Sequence, residues 1–176
     1  MTSADLRPAT AADSVRTADP SRSARSARTG KGDDLDQVVA LRALLLAELG
    51  LDVEEPRWRG AARDVLAHGM TAGRLTVQVV EQDGRVVACA VALLQHRLPT
   101  PGTLDGTYGW LEQVVTLPEA RGRGAATACV QGCLDWLRAR GVREVQMQST
   151  RAGEPLYREL GFTDDPQARL LLRLDR

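Results

Sequence analysis

Aromatic residues make up only 3% of this 176-residue chain, and its charges cancel, with 23 Lys and Arg against 23 Asp and Glu. A surface for nucleic acid or anionic lipid needs a basic excess, and single-stranded nucleic acid also needs interleaved aromatic platforms, so no nucleic-acid or membrane partner is expected. No apolar run reaches the roughly 18 residues of a membrane span, and the N-terminus lacks the apolar core of a secretory signal. A cytoplasmic location is the expectation. The two histidines, His68 and His96, have no Ser, Cys or second His at a catalytic spacing, which leaves them as ordinary helix-surface and loop residues. Cys89 sits in a strand-like run, and Cys129 and Cys133 lie one helical turn apart in an apolar stripe. Three thiols with no His nearby fit buried small hydrophobes better than a metal site or a disulfide.

What the chain does contain is organised around residues 110–127. Trp110 to Leu117 is apolar and β-branched apart from Glu112 and Gln113, and Pro118 ends that run by removing a ladder donor. Gly122 and Gly124 then allow a tight turn at the point where a helix begins, where the first backbone amides lack intrahelical partners. The helix dipole adds roughly half a positive charge, and Arg121 and Arg123 add whole ones, so a phosphate or pyrophosphate is the natural guest. The alternative is a plain left-handed turn with solvated arginines. A Walker loop is excluded, because Gly-Lys-Ser/Thr is missing and Lys31, in Gly30-Lys31-Gly32, has no strand expected before it. A dinucleotide fingerprint is excluded as well, since Thr127 stands where its third glycine would fall.

The length suits one domain, residues 1–176, with a single core. Residues 14–32 are rich in Ser, Arg and Ala without apolar periodicity, and are expected to form a disordered or loosely coiled surface insert. Asp33 or Asp34 can cap a helix carrying Val38, Leu41, Leu44, Leu45 and Leu49 as a stripe up to Gly50. A second helix is expected from Pro56 to Met70, with Trp58, Ala61, Ala62, Val65 and Leu66 inward. Leu75 to Glu81 and Val86 to Gln95 flank an Asp-Gly turn and read as a β-hairpin. After the glycine turn, Ala126, Cys129, Val130, Cys133, Leu134 and Leu137 form a helix face ending at Gly141. Glu144 to Ser149 is a strand, residues 153–160 form a short helix, and Arg169 to Leu174 supply the last strands. Loops carry specificity more often than scaffolds do, so His96, Arg97, Asp105 and Tyr108 are candidate contacts for a second substrate, as are Asp52, Glu54 and Glu55 for a cation.

Arg121-Gly-Arg-Gly-Ala-Ala126 resembles the Arg/Gln-x-x-Gly-x-Gly/Ala motif of the GCN5-related N-acetyltransferase (GNAT) family. Val114-Val-Thr-Leu-Pro-Glu119 is similar to that family's fourth strand, and Pro155-Leu-Tyr-Arg-Glu-Leu-Gly-Phe162 to its Leu-Tyr-x-x-x-Gly-Phe signature. The resemblance implies an α/β fold: a mixed, mostly antiparallel sheet flanked by helices and splayed between strands 4 and 5, with Leu6 to Asp13 as the opening strand and first helix cap. It implies acetyl-CoA as the acyl donor, coenzyme A as product and no metal. By the same resemblance Arg121, Gly122, Arg123, Gly124, Ala125, Ala126 and Thr127 hold the pyrophosphate. The backbone at Val114, Val115 and Thr116 pairs with the pantetheine arm, and Tyr157 protonates the leaving thiolate. Read without the resemblance, Tyr157 is a core residue. The family pattern often carries an Asn and an Ala where this chain has Thr150 and Gly153, so Thr150 is left to offer a hydroxyl to the cofactor.

Acyl transfer to an amine needs the amine neutral, and a free alkyl amine has a pKa of about 10, so a base or water relay must take its proton. Glu112 is the candidate, an acid on an otherwise apolar strand where burial would raise its pKa; the alternative is a carboxylate facing solvent or salt-bridged. The resulting expectation is direct attack in a ternary complex by a small-molecule amine. A protein N-terminus or lysine as acceptor, and a non-catalytic acyl-CoA sensor, remain alternatives. The assembly is open, a homodimer included.

Overall fold

A computed structural model describes residues 26–165. Five strands form one sheet in chain order: β1 (Arg28–Thr29), β2 (Leu75–Gln82), β3 (Arg85–His96), β4 (Thr107–Thr116) and β5 (Val145–Met147). All neighbours are antiparallel except β4 and β5, which run parallel. Parallel neighbours need a long crossover, and the helix α3 (Ala125–Arg138) supplies it. The expected hairpin is β2 and β3, closed by Asp83 and Gly84, both left-handed at φ 52° and 76°, as a two-residue turn requires.

Two apolar layers sandwich the sheet. Helices α1 (Leu35–Glu48) and α2 (Arg57–Thr71) cover one face, where Leu35, Val38, Leu41 and Leu66 meet Val77, Val79, Val91 and Val115. Helix α3 covers the other face, with Cys129, Val130, Cys133 and Leu137 against Ala88, Ala90, Ala92 and Leu111. The short helix α4 (Glu154–Glu159) adds Tyr157 to this second layer. Alternation along β3 assigns its residues to the two faces, broken once where a register shift opposite Val80 and Glu81 turns Val87 and Ala88 to the same side.

Three expectations change. The strand β1 lies inside the stretch expected to be loosely coiled, and the Gly30 N–H donates to the Val77 carbonyl at 2.8 Å, so the insert ends before residue 28 and a strand does precede Lys31. Residues 14–25, the expected opening strand Leu6 to Asp13 and the expected strands from Arg169 to Leu174 lie outside the described residues; the edge beside β2 is occupied by β1. Asp34 does more than start a helix. Its buried carboxylate accepts from the Lys31 N–H at 2.6 Å and from both terminal nitrogens of Arg28 at 2.7 and 2.9 Å, and Arg28 reaches on to Glu81 at 2.5 Å. The Arg28 guanidinium thereby holds the Asp34 carboxyl below the usual carboxylate range. In α2, Val65 and Ala61 face solvent, and the helix instead rests Gly69 on Leu75, where a Cβ would come within 2.4 Å of a leucine methyl.

The cysteines are buried and free, as expected. Burial pushes the Cys89 thiol up to about 12, and it raises Cys129 and Cys133 further. Unfolded thiols release their protons near pH 8.5, so above that pH the unfolded state binds fewer protons than the folded one and stability falls as pH rises, by up to about 1.4 kcal/mol per unit per thiol. The expected outcome is a urea midpoint that drops between pH 9 and 10.5 in the native sequence and drops less in a triple Cys→Ala variant. Ellman's reagent at pH 8 should label none of the three thiols until denaturant is added, and rapid labelling of the native protein would contradict the burial.

Candidate functional site

The chain leaves β4 through a 3-10 turn, Pro118–Ala120, and reaches α3 through two glycines. Gly122 and Gly124 have φ of 71° and 77°, a region that costs a side-chain-bearing residue energy. A Cβ added at either would meet nothing within 4 Å, so both glycines face open space. The first helical bond to this end is donated by the Ala128 N–H to the Gly124 carbonyl at 3.0 Å, so the amides of Ala125, Ala126 and Thr127 precede the ladder and are available to an anion. The Ala125 side chain is buried, which restricts it to main-chain contacts.

The two arginines of the turn have separate roles. Arg121 donates from Nε to the Thr116 carbonyl at 3.0 Å and from Nη2 to the Glu48 carboxylate at 2.6 Å, so it staples the turn to β4 and α1 with its charge offset. Arg123 is exposed and forms no ion pair among the described residues, which leaves its charge for a ligand.

The sheet opens next to this turn. Pairing of β4 with β5 runs from Gly109 opposite Val145 to Leu111 opposite Met147 and stops there, whereas β4 continues to Thr116. Among the described residues, 112–116 thus have β3 on one side and no strand on the other. Within this stretch the register against β3 jumps, with Val115 opposite Cys89 but Glu112 opposite Val91, so Gln113 and Val114 share the space beside Ala90. Gln113 takes φ 52° at this bulge. Its buried side chain donates from Nε2 to the Val38 carbonyl at 3.0 Å and accepts from Arg42 Nη1 at 3.2 Å. Val114 packs toward α3 and Val115 toward α1. Among the described residues the buried Thr116 hydroxyl has no hydrogen-bond partner, an orphaned polar atom at the end of β4.

Glu112 is not buried. Its side chain is 40% exposed, and its carboxylate has Arg42 Nη1 at 3.9 Å. The burial expected for it is missing, and the pairing with β5 ends one residue before it.

Tyr157 is buried in the layer that also holds Leu111, Val114 and Met147, which border the fork. Its ring meets Phe162 edge-on at 5.8 Å, and burial pushes its phenol up to about 12. Thr150 caps the approach to α4, its Oγ1 accepting from the Gly153 N–H at 3.2 Å. A Cβ at Gly153 would stand 3.3 Å from Tyr157 Cε2, so the departure from Ala at this position lets the tyrosine ring sit close to the helix start.

Other candidates are engaged elsewhere. Asp52 and Glu55 accept backbone N–H groups of Glu54 and Arg57 at 2.9 and 3.0 Å, capping their own loop. Arg97 pairs with Glu144 at 2.7 Å and lies 5.0 Å from the Tyr108 ring centroid, and Asp105 accepts from the Thr107 N–H at 3.0 Å. These groups and His96, opposite Thr107, gather at the start of β4, the far end from the glycine turn. His68 rests on the Asp64 carbonyl of α2. Among the described residues there is no metal-binding group of three or more His, Cys, Asp or Glu, and no helix long and apolar enough to cross a membrane. The sequence reading missed Arg42 and the anchoring role of Gln113; a lone polar residue inside an apolar strand was the available signal for the latter.

The model of the acetyltransferase (GNAT) family matches residues 41–162. Solved structures share the fold. A protein of Clostridium acetobutylicum described as a predicted acetyltransferase, solved with acetyl-CoA, superposes with a TM-score of 0.76 at 20% identity over 84% of this chain and 95% of its own. AAC(6')-Iy, in complex with the bisubstrate analogue CoA-S-monomethyl-acetylneamine, gives 0.68 at 20% identity over 86% and 97%. Glucosamine-6-phosphate N-acetyltransferase of Arabidopsis thaliana gives 0.66 at 15% identity over 85% and 98%. No curated protein matches the sequence. With a glycine turn opening a helix beside a forked sheet, and a family model covering most of the chain from α1 to Phe162, the protein belongs to the GNAT acetyltransferase family.

Proposed function

We propose that the protein transfers an acetyl group from acetyl-CoA to the primary amine of a small molecule, by direct attack within a ternary complex. The observation that carries this reading is the fork between β4 and β5 leading to two glycines that face open space. Bare amides at Ala125, Ala126 and Thr127, the turn glycines Gly122 and Gly124 and the free charge of Arg123 suit a pyrophosphate. Arg121 serves that site by fixing the turn. The unpaired side of β4 at Val114, Val115 and Thr116 suits an extended amide-bearing arm, added like a strand, and the Thr150 hydroxyl retains its proton for a further acceptor. Structural neighbours named for aminoglycoside and glucosamine-6-phosphate acetylation support a small amine as acceptor.

An acyl thioester supplies an activated carbonyl and a thiolate leaving group. An amide on the uncovered edge of β4 polarises the carbonyl. Glu112, exposed and beside the opening, accepts the amine proton directly or through one water. Tyr157 stays neutral at every working pH because burial raises its phenol to about 12, and it gives its proton to the departing sulfur. The same apolar wall raises the basicity of a thiolate pressed against it, which narrows the gap between the two groups. The protein's own thiols are buried and held protonated, which argues against an acyl-enzyme.

Calorimetry with acetyl-CoA is expected to give one-to-one binding. Gly124→Glu should weaken it by about 100-fold, since two to three kcal/mol of anion contact are replaced by repulsion. Gly124→Ala carries the same backbone strain without the charge and should lose far less. Equal losses in the two variants would assign the effect to strain and remove the pyrophosphate site.

Thiol release in the presence of a panel of amines tests the chemistry. Tyr157→Phe and Glu112→Gln are each expected to lower kcat by roughly 100-fold with acetyl-CoA affinity unchanged. A protein that binds acetyl-CoA but releases no thiol with any amine, and is indifferent to both changes, would be a sensor and not an enzyme.

A further inference from the structure

Arg42 is a charged residue of α1 whose guanidinium turns inward to β4. It is two-thirds buried, and one nitrogen, Nη1, lies 3.2 Å from Gln113 Oε1 and 3.9 Å from Glu112 Oε1. Gln113 is the left-handed residue of the bulge, and it is fixed from its other end by the bond from its Nε2 to the Val38 carbonyl, also on α1. The buried amide of Gln113 therefore holds the guanidinium in place, and the guanidinium stands beside the Glu112 carboxylate.

We infer that Arg42 is a positioning residue for the reaction, holding the Glu112 carboxylate at the fork through its anchor on Gln113. This rests on the proposed role of Glu112 as base. A glutamate on an uncovered strand samples several rotamers, and an orienting partner on the neighbouring helix limits them. Among the described residues, Arg42 is the one cation within 4 Å of that carboxylate. On the sheet itself, β3 presents the uncharged Val91 opposite Glu112, and the pairing with β5 ends at Met147, opposite the preceding residue. The arrangement is specific to a guanidinium. A lysine ammonium could keep the charge, but both contacts are made by Nη1, one bond farther from the backbone than a lysine Nζ, so the ammonium would fall short of the amide and the carboxylate together.

The test compares Arg42→Met, Arg42→Lys, Glu112→Gln and the double variant Arg42→Met/Glu112→Gln, using thiol release against pH, acetyl-CoA affinity by calorimetry and thermal midpoint. The expected result for Arg42→Met is acetyl-CoA affinity within threefold of the native protein and kcat/KM for the amine at least tenfold lower. Arg42→Lys should restore only part of the rate. In the double variant the loss should equal that of Glu112→Gln alone, because a residue acting through the carboxylate has nothing left to position. Should Arg42→Met fail to fold, Arg42→Lys still decides, since full retention of rate would overturn the proposal. Two failures are distinguishable. If Glu112→Gln abolishes the acidic limb of the kcat/KM profile while Arg42→Met keeps the full rate, or if the two losses multiply, Arg42 has no positioning role and the base assignment stands. If Glu112→Gln keeps both rate and limb, the base assignment falls and this inference falls with it.

Discussion

The structure depends on β4 being paired along its whole length on one side and only in part on the other. A sheet that zipped fully to β5 would have no room for an extended arm, and one that failed to pair with β3 would have no rigid edge. The bulge at Gln113 and Val114 lies inside the unpaired stretch, so the backbone changes its pointing direction where a ligand has access to it. A left-handed non-glycine residue costs about 1–2 kcal/mol. Two hydrogen bonds from its side chain, one of them from a guanidinium, contribute roughly 1–3 kcal/mol each where the partners are buried, enough to hold the strained conformation. Glutamine at this position is thus explained by its side chain, whereas glycine at 122 and 124 is explained by backbone freedom alone.

Helix α1 braces the functional segment at both ends. Near its middle, Arg42 and the Val38 carbonyl take the bulge; at its C-terminal end, Glu48 takes Arg121 of the glycine turn. Between these points runs the edge of β4 that β5 leaves unpaired. Glu48 and Arg121 are each about half exposed, so their pair contributes little to stability on its own. Its effect is geometric. Arg121 also donates to the Thr116 carbonyl, so three elements meet on one guanidinium and the turn cannot drift from the strand end.

Much of this was legible in the sequence because local chemistry decides it. Asp83-Gly84 dictates a two-residue hairpin, the stripe from Val38 to Leu45 dictates a helix, and paired glycines before an apolar helix face dictate an open N-terminus. What was not legible depends on partners distant in sequence. The strand at Arg28–Thr29 is two residues long, without apolar alternation, and is held by β2 and by the Arg28–Asp34–Glu81 ion cluster. The exposure of Glu112 follows from where β5 ends, 35 residues away, and no property of residues 110–117 encodes it. The contact of Arg42 with Gln113 spans 71 positions, and an arginine in an amphipathic helix reads as solvated until the strand is in place.

In the proposed reaction, the exposure of Glu112 and the burial of Tyr157 divide the proton traffic between two environments. A base that must accept a proton from an incoming amine and lose it again benefits from contact with water, which carries the proton away, and a carboxylate 40% exposed has that contact. An acid that must reprotonate a thiolate benefits from the opposite setting, since water there would compete for the acyl group and solvate the leaving sulfur. The phenol meets this condition through burial under α4, with Phe162 against its ring and Gly153 giving it room. Exchanging the two environments would strand a charged carboxylate in an apolar wall and place a weak acid in water, where the solvent would perform its task. The end of β5 at Met147 thus sets both: it uncovers the carboxylate and opens the fork beside which the tyrosine packs.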